Sequence, residues 1–225
     1  KQLAGLQGTA RKISAGIGRA FATIGVGLSF AIITRELKEA AKAAVEDQKS
    51  QGLLATALEN TTGANNAQIA SVEKSINKMQ LQASVADDEI RPSFAKLARA
   101  TGDLTKSTDL MALALDIAAG TGKSLDSVTT ALARAVGPDG TTGALERLVP
   151  AIKGAKDPMA ELERLFAGSA EEAANLDPYQ RMNIIFGEIQ EQIGTALMPV
   201  LNEFSTWLAT PEGQAKLQEL SLIHI

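Results

Sequence analysis

The 225-residue chain contains no cysteine, which excludes disulfides and thiolate metal sites. Its one histidine is His224, next to the end, so neither a histidine-based zinc site nor a Ser-His-Asp relay can be built from this chain alone. Aromatic residues are scarce, with one Tyr, one Trp and six Phe. Strands favour aromatic and β-branched residues, and these are thinly spread outside one apolar stretch near the start. A net charge of −4 leaves no cationic surplus for coating a duplex. Carboxylate chemistry stays open, although no acidic pair stands out from ordinary surface charge. The chain begins at Lys1 without a charged-then-apolar leader and reads as a piece of something longer.

Alanine and leucine are the commonest residues, and with lysine, glutamate and glutamine they make a large share of good helix formers. The expected fold is therefore all-α: an extended N-terminal helix with a Gly-rich apolar segment, then a multi-helix bundle and a long C-terminal amphipathic helix. The length allows one or two domains with a sizeable core. Charge is unevenly placed. Residues 1–35 carry Lys1, Arg11, Lys12, Arg19 and Arg35 and no acidic side chain, whereas the chain after residue 50 has 14 basic against 22 acidic residues. A basic flank beside an apolar helix is drawn to anionic headgroups.

That apolar helix is residues 13–34, "ISAGIGRAFATIGVGLSFAIIT". Ala20 to Thr34 is uncharged, and letting Arg19 snorkel brings the run near the ~20 residues that cross a bilayer. Phe21, Ile24, Val26, Leu28, Phe30, Ile32 and Ile33 would face lipid or a protein core. Gly16, Gly18, Gly25 and Gly27 would let two helices approach closely. After Thr34 the chain turns charged. Glu36, Lys38, Glu39, Lys42, Glu46 and Lys49 fall at spacings that permit i,i+3 and i,i+4 pairs on a helix ending near Asn60.

Several helices follow. Ile69, Val72, Ile76, Met79 and Ala83 form one apolar stripe. Asp87 is expected to cap the next helix, which tolerates Pro92 in its early turns and buries Ile90, Phe94, Leu97 and Ala98. A third spans about Ser107 to Ala119 and a fourth runs from Leu125 through Val136. "GPDGTTG", 137–143, is a loop by its Gly and Pro content. Asp157-Pro158, Asp177-Pro178 and Thr210-Pro211 each read as a cap followed by a proline at the first helical position. From Pro178 to about Ala209 apolar residues recur every 3.7 residues on average, over a helix reaching about 48 Å. Ile189, Ile193, Leu197, Val200, Leu201 and Phe204 form its expected packing stripe, with a kink expected at Pro199.

One triplet invites a nucleotide. "AAGTGKSLDSV" contains Gly122-Lys123-Ser124, the end of a phosphate loop. That loop needs a glycine five residues before Gly122 and a strand in front of it. Ile117 stands at that position, and the preceding "LMALALDIAA" has helical periodicity. Gly122 instead suits a left-handed helix end and Ser124 a cap. No nucleotide, cofactor or metal is expected, and no enzyme activity.

Three stretches together resemble the tail tape measure protein of long-tailed bacteriophages. They are "GIGRAFATIGVGLSFAII", the middle region from "TGANNAQIASVEKSINKMQ" to "SLDSVTTALARA", and "FGEIQEQIGTALMPVLNEFSTWLATPEG" with its Gly194 and Leu197-x-Pro199-Val200-Leu201. The resemblance spans most of residues 13–220. It implies a virion structural protein, a helical rod in the tail tube whose length sets the tail length. Implied partners are further copies of itself, the tail tube and tail assembly proteins, and the host membrane during genome passage. The family's long coiled-coil rod and peptidoglycan-cutting domain have no counterpart in this stretch. The expected organisation is a basic leader at 1–12, the apolar segment and its amphipathic continuation at 13–60, a helical bundle at 61–176, and a long helix plus a short terminal one at 177–220. Residues 221–225, "SLIHI", break the preceding pattern and read as a non-native tail. An alternative on the same residues is a membrane-perturbing, pore-forming helical protein, motivated by the basic-flanked segment 13–34.

Overall fold

The computed structural model describes residues 30–138, 140–212 and 214–215. Among them every regular element is helical. In chain order these are α1 (Phe30–Thr62), α2 (Asn66–Ala83), α3 (Asp87–Thr101), α4 (Leu104–Thr121), α5 (Leu125–Val136), α6 (Gly143–Leu148), a 3-10 turn (Pro150–Ile152), α7 (Pro158–Phe166), α8 (Ser169–Leu176) and α9 (Pro178–Leu208). The chain divides into two compact units, Lys1–Glu39 and Ala40–Ile225. In the first, the described part is the helical stretch 30–39, where Arg35 pairs with Glu36 at 2.9 Å on the surface.

In the second unit the helix ends follow from local chemistry. Asn65 and Gln68 cap α2 reciprocally, each side chain accepting from the other's backbone N–H at 3.0 and 2.9 Å. Asp103 accepts from the amide of Lys106, which starts α4 three residues earlier than its apolar pattern suggests. Gly122 sits at φ 67° and closes α4, and Ser124 then accepts from the Ser127 amide to open α5. "TGKS" is a turn. Asp157 and Asp177 cap α7 and α9 in front of their prolines, as the dipeptides predict.

The core is built around α3. Ile90, Phe94, Leu97 and Ala98 are fully buried, and α3 packs on α2, α4 and α5. Met111, Ala114 and Ile117 of α4 meet Val128 and Leu132 of α5 in the same cluster. On its other side α4 packs against α7 and α8. Val72 and Ile76 from the α2 stripe are buried, with Ile69, Met79 and Ala83 half-buried against the cluster. Leu54 and Leu58 of α1 belong to it too, so the packed body begins before residue 61.

One expected cap is corrected. Ala86 occupies the N-cap of α3 without a side-chain bond, and Asp87 is the first residue of the helix proper. Its carboxylate is instead held by Arg91, one turn on, at 2.7 Å.

Candidate functional site

Two features distinguish this bundle from a plain helical domain, and both involve α9. The first is its orientation. An amphipathic helix normally lays its apolar stripe on the core; α9 turns its stripe away. Tyr179, Met182, Phe186, Ile189 and Ile193 are 70, 47, 58, 47 and 41% exposed, and Ile185 and Leu201 are each 42% exposed. On the opposite side, toward the bundle, stand Gln180, Gly187, Glu188, Glu191 and Gly194. Of these Gly194 is buried and Gly187, Glu188 and Glu191 are half-buried.

Small and polar groups make that docking. A Cβ built on Gly194 would overlap the carbonyl oxygen of Ala40 and lie 2.6 Å from its carbon and 2.8 Å from the Ala44 Cβ. Ala40 and Ala44 are themselves buried, so α9 crosses α1 where both backbones lack bulk. The amide of Gln180 donates to the Ser84 carbonyl at 2.8 Å, and that of Gln80 donates to Glu188 Oε1 at 2.6 Å. Ser84 closes α2 at φ 53°, a left-handed position uncommon for a residue with a side chain.

The second feature is an ionic knot under α9. Arg91 on α3 is 2% exposed. Its Nη2 meets Asp87 Oδ2 at 2.7 Å, its Nη1 meets Asp47 Oδ1 of α1 at 2.8 Å, and its Nε donates to Glu73 Oε2 of α2 at 3.1 Å. The Asp47 contact is a charge pair without a directed hydrogen bond, since neither buried atom has a hydrogen-bond partner. Asp88 lies at the rim, 3.9 Å away. Glu191 enters from α9, and one oxygen each of Asp47, Asp87 and Glu191 lie within 4.8 Å of one another. One guanidinium thus serves Asp47, Glu73 and Asp87, while Glu191 stands beside Asp47 and Asp87 with no ion pair of its own to Arg91, an excess of negative charge where solvent is scarce.

The carboxyl groups respond as electrostatics requires. Burial pushes Asp87 up to about 6; Arg91 opposes the rise, while Asp47, Glu188 and Asp88 add to it. Burial also lifts Glu191, reinforced by the negative charges of Asp87, Asp47, Glu188 and Asp88, to about 8. Burial alone would lower Arg91, but Asp87, Glu73 and Asp47 hold its pKa above the ordinary value. Two carboxyl groups of the knot, Asp87 and Glu191, therefore keep their protons to higher pH than a free carboxyl group does. A divalent cation fits the knot poorly, because a guanidinium already sits within 2.8 Å of two of the three clustered carboxylates.

The sequence-derived site residues divide accordingly. Gly16, Gly18, Phe21, Ile24, Gly25, Val26, Gly27 and Leu28 lie outside the described residues, and of Phe30, Ile32 and Ile33 only the helical backbone is described. No helix among the described residues is long and apolar enough to cross a membrane. In the expected packing stripe, Ile189, Ile193 and Leu201 are exposed and Leu197 and Val200 half-buried, while the side chain of Phe204 lies outside the described set. Within a single chain the exposed members of the stripe make no core contact, and the buried position of the helix is Gly194. Helix α9 runs through Pro199 to Leu208.

Lys123 and Ser124 are exposed and line a shallow cleft that also holds Glu89 and Asp177, acidic neighbours that disfavour a phosphate. Sequence reasoning missed the knot altogether. A signal was present: Asp87 and Arg91 fall in helical register with buried Phe94 and Ala98, and Asp47 with Ala40, Ala44, Leu54 and Leu58. Charges in an apolar register mark buried ion pairs more often than surface ones.

Fold and site together define an all-helical protein with an outward-facing apolar helix set on a buried ionic knot. No family model matches the chain, and no curated protein or solved structure matches it significantly.

Proposed function

We propose that the chain is a segment of a phage tail tape measure protein, a non-catalytic virion component made in the bacterial cytoplasm. It would act in tail assembly and length determination inside the tail tube, in several copies, and in genome passage through the host membrane. The observation that carries the reading is the outward apolar face of α9. Single exposed apolar residues are ordinary, but a run of them from Tyr179 to Ile193 along one helix marks an interaction surface. From Met182 to Phe204 the apolar positions step by 4, 3, 4 and again 4, 3, 4. This 11-residue repeat drifts little around a helix and suits side-by-side winding of like helices in a nearly straight or right-handed sense. A rod of parallel copies uses that geometry.

Sedimentation of the full chain over a concentration series tests the self-association. The expected result is a mass above the monomer for the wild type and a monomer for Ile189→Asp/Ile193→Asp with unchanged helical circular dichroism. A wild type that stays monomeric throughout would sink it. The phage assignment is tested separately by the complete reading frame, which should carry an extended helical region and lie among tail genes. A second reading, a membrane-perturbing helical protein, is favoured by the basic-flanked apolar segment 13–34. A peptide of residues 11–36 that neither partitions into anionic vesicles nor releases trapped dye would eliminate it.

A further inference from the structure

We propose that the clustered carboxyl groups of Asp47, Asp87 and Glu191, of which Arg91 pairs only with the first two, form a pH-operated latch: α9 is docked on the bundle while Glu191 carries a proton and is released when that proton leaves. The inference stands apart from the tail reading and concerns how one helix is held.

Its first support is the composition of the contact. Along α9 Gly194 alone is buried among the described residues; Ile184, Leu197, Met198 and Val200 reach only half burial beside Gly187, Glu188 and Glu191, so apolar burial holds the helix modestly. Charge then decides. The groups facing Glu191 can be taken element by element. Helix α1 supplies Asp47, while its Lys42 and Glu46 pair with each other on the surface at 3.8 Å. Helix α2 supplies Glu73, bound to Arg91, and the neutral Gln80, bound to Glu188. Helix α3 supplies Asp87, Asp88 and Arg91, and α9 itself adds Glu188. Helix α8 carries Glu171 and Glu172, both exposed. The one cation in this group, Arg91, is already shared among Asp87, Asp47 and Glu73. A fourth negative charge brought in by Glu191 has no counter-ion to meet among these groups.

The direction of the pH effect follows. Burial and the surrounding carboxylates raise Glu191 from 4.5 to about 8 and Asp87 from 3.8 to about 6. The docked state therefore binds more protons than the free helix across that range. Docking is strongest below the ordinary carboxylate value, weakens as pH rises, and loses the Glu191 contribution as pH passes about 8.

The test uses the full chain, whose lack of native cysteine makes labelling simple. Spin labels at Lys49→Cys on α1 and Asn183→Cys on α9, both exposed, are measured by pulsed dipolar spectroscopy in an excess of unlabelled protein, so that only distances within one chain are read. The expected result is one narrow distance at pH 5.5 and a second, longer and broader population that dominates by pH 9. Glu191→Gln, the neutral stand-in for the protonated side chain, should keep the narrow distance at both. Identical distributions for the wild type at pH 5.5 and 9 would overturn the proposal. So would opening of Glu191→Gln in parallel with the wild type, or closure at pH 9 on adding calcium, which would assign the knot to a cation.

Discussion

Replacing Gly194 by alanine sets two effects of known sign against each other. In a helix interior, Ala is favoured over Gly by about 1 kcal/mol, because glycine loses more backbone freedom on folding. Against that, the new methyl would occupy the space of the Ala40 carbonyl oxygen, with the Ala40 carbon at 2.6 Å and the Ala44 Cβ at 2.8 Å. Carbon atoms prefer about 3.5–4.0 Å, and the obstacle is backbone that cannot rotate away. Overpacking of this kind costs about 1–3 kcal/mol, so the net change is a loss of up to about 2 kcal/mol, concentrated in the α1–α9 contact. Gly187, two turns earlier on the same helix, is the matched control, since a Cβ there meets nothing within 4 Å. Gly187→Ala should gain the propensity difference alone, raising Tm by about 2–4 °C for a chain of this size. Gly194→Ala should lower Tm or leave it unchanged, and should speed amide exchange across residues 187–198 while α3 and α4 stay protected. If Gly194→Ala stabilises the protein as Gly187→Ala does, without faster exchange, then α9 does not lie against Ala40 and the docking described above is wrong.

Removing the guanidinium by Arg91→Met leaves Asp47, Asp87 and Glu73 facing one another without a counter-charge. The expected loss is about 3–5 kcal/mol at neutral pH, smaller at pH 5, where protonation relieves the repulsion; denaturant midpoints at the two pH values check it. Asp116 on α4 accepts from the amides of Gly168 and Ala170 at 3.1 and 2.9 Å and so caps α8 from another helix. Asp116→Ala should cost about 0.5–2 kcal/mol, read as an increase in exchange confined to α8 and its neighbours.

Much of the fold is legible in the sequence because helix starts and stops are local. Asp157-Pro158, Asp177-Pro178, Ser124 and Gly122 do their work through bonds to the next three or four residues, which any reader of the chain can count. The stripes of α2 and α3 are equally plain, since the residues that repeat are buried in α3 and buried or half-buried against the core in α2. Asp87 shows where such reading slips. As a cap, or as the partner of Arg91 one turn on, it needs only its neighbours; as a member of the knot it needs Asp47 and Glu191, which lie far away in the chain. The cap of α8 has the same character, because Gly168 has no side chain to offer and the carboxylate arrives from α4.

What the chain spelled out in its own order is the helical fold, several of the helix ends, the apolar stripe of α9 and the plainness of "TGKS", all settled by contacts within one or two turns. Which side of α9 meets the bundle, and which carboxylates share a single arginine, was settled by packing between helices. Periodicity locates a stripe without saying what covers it. Charges on four helices become one site only when packing has brought them within a few ångströms and removed the water between them.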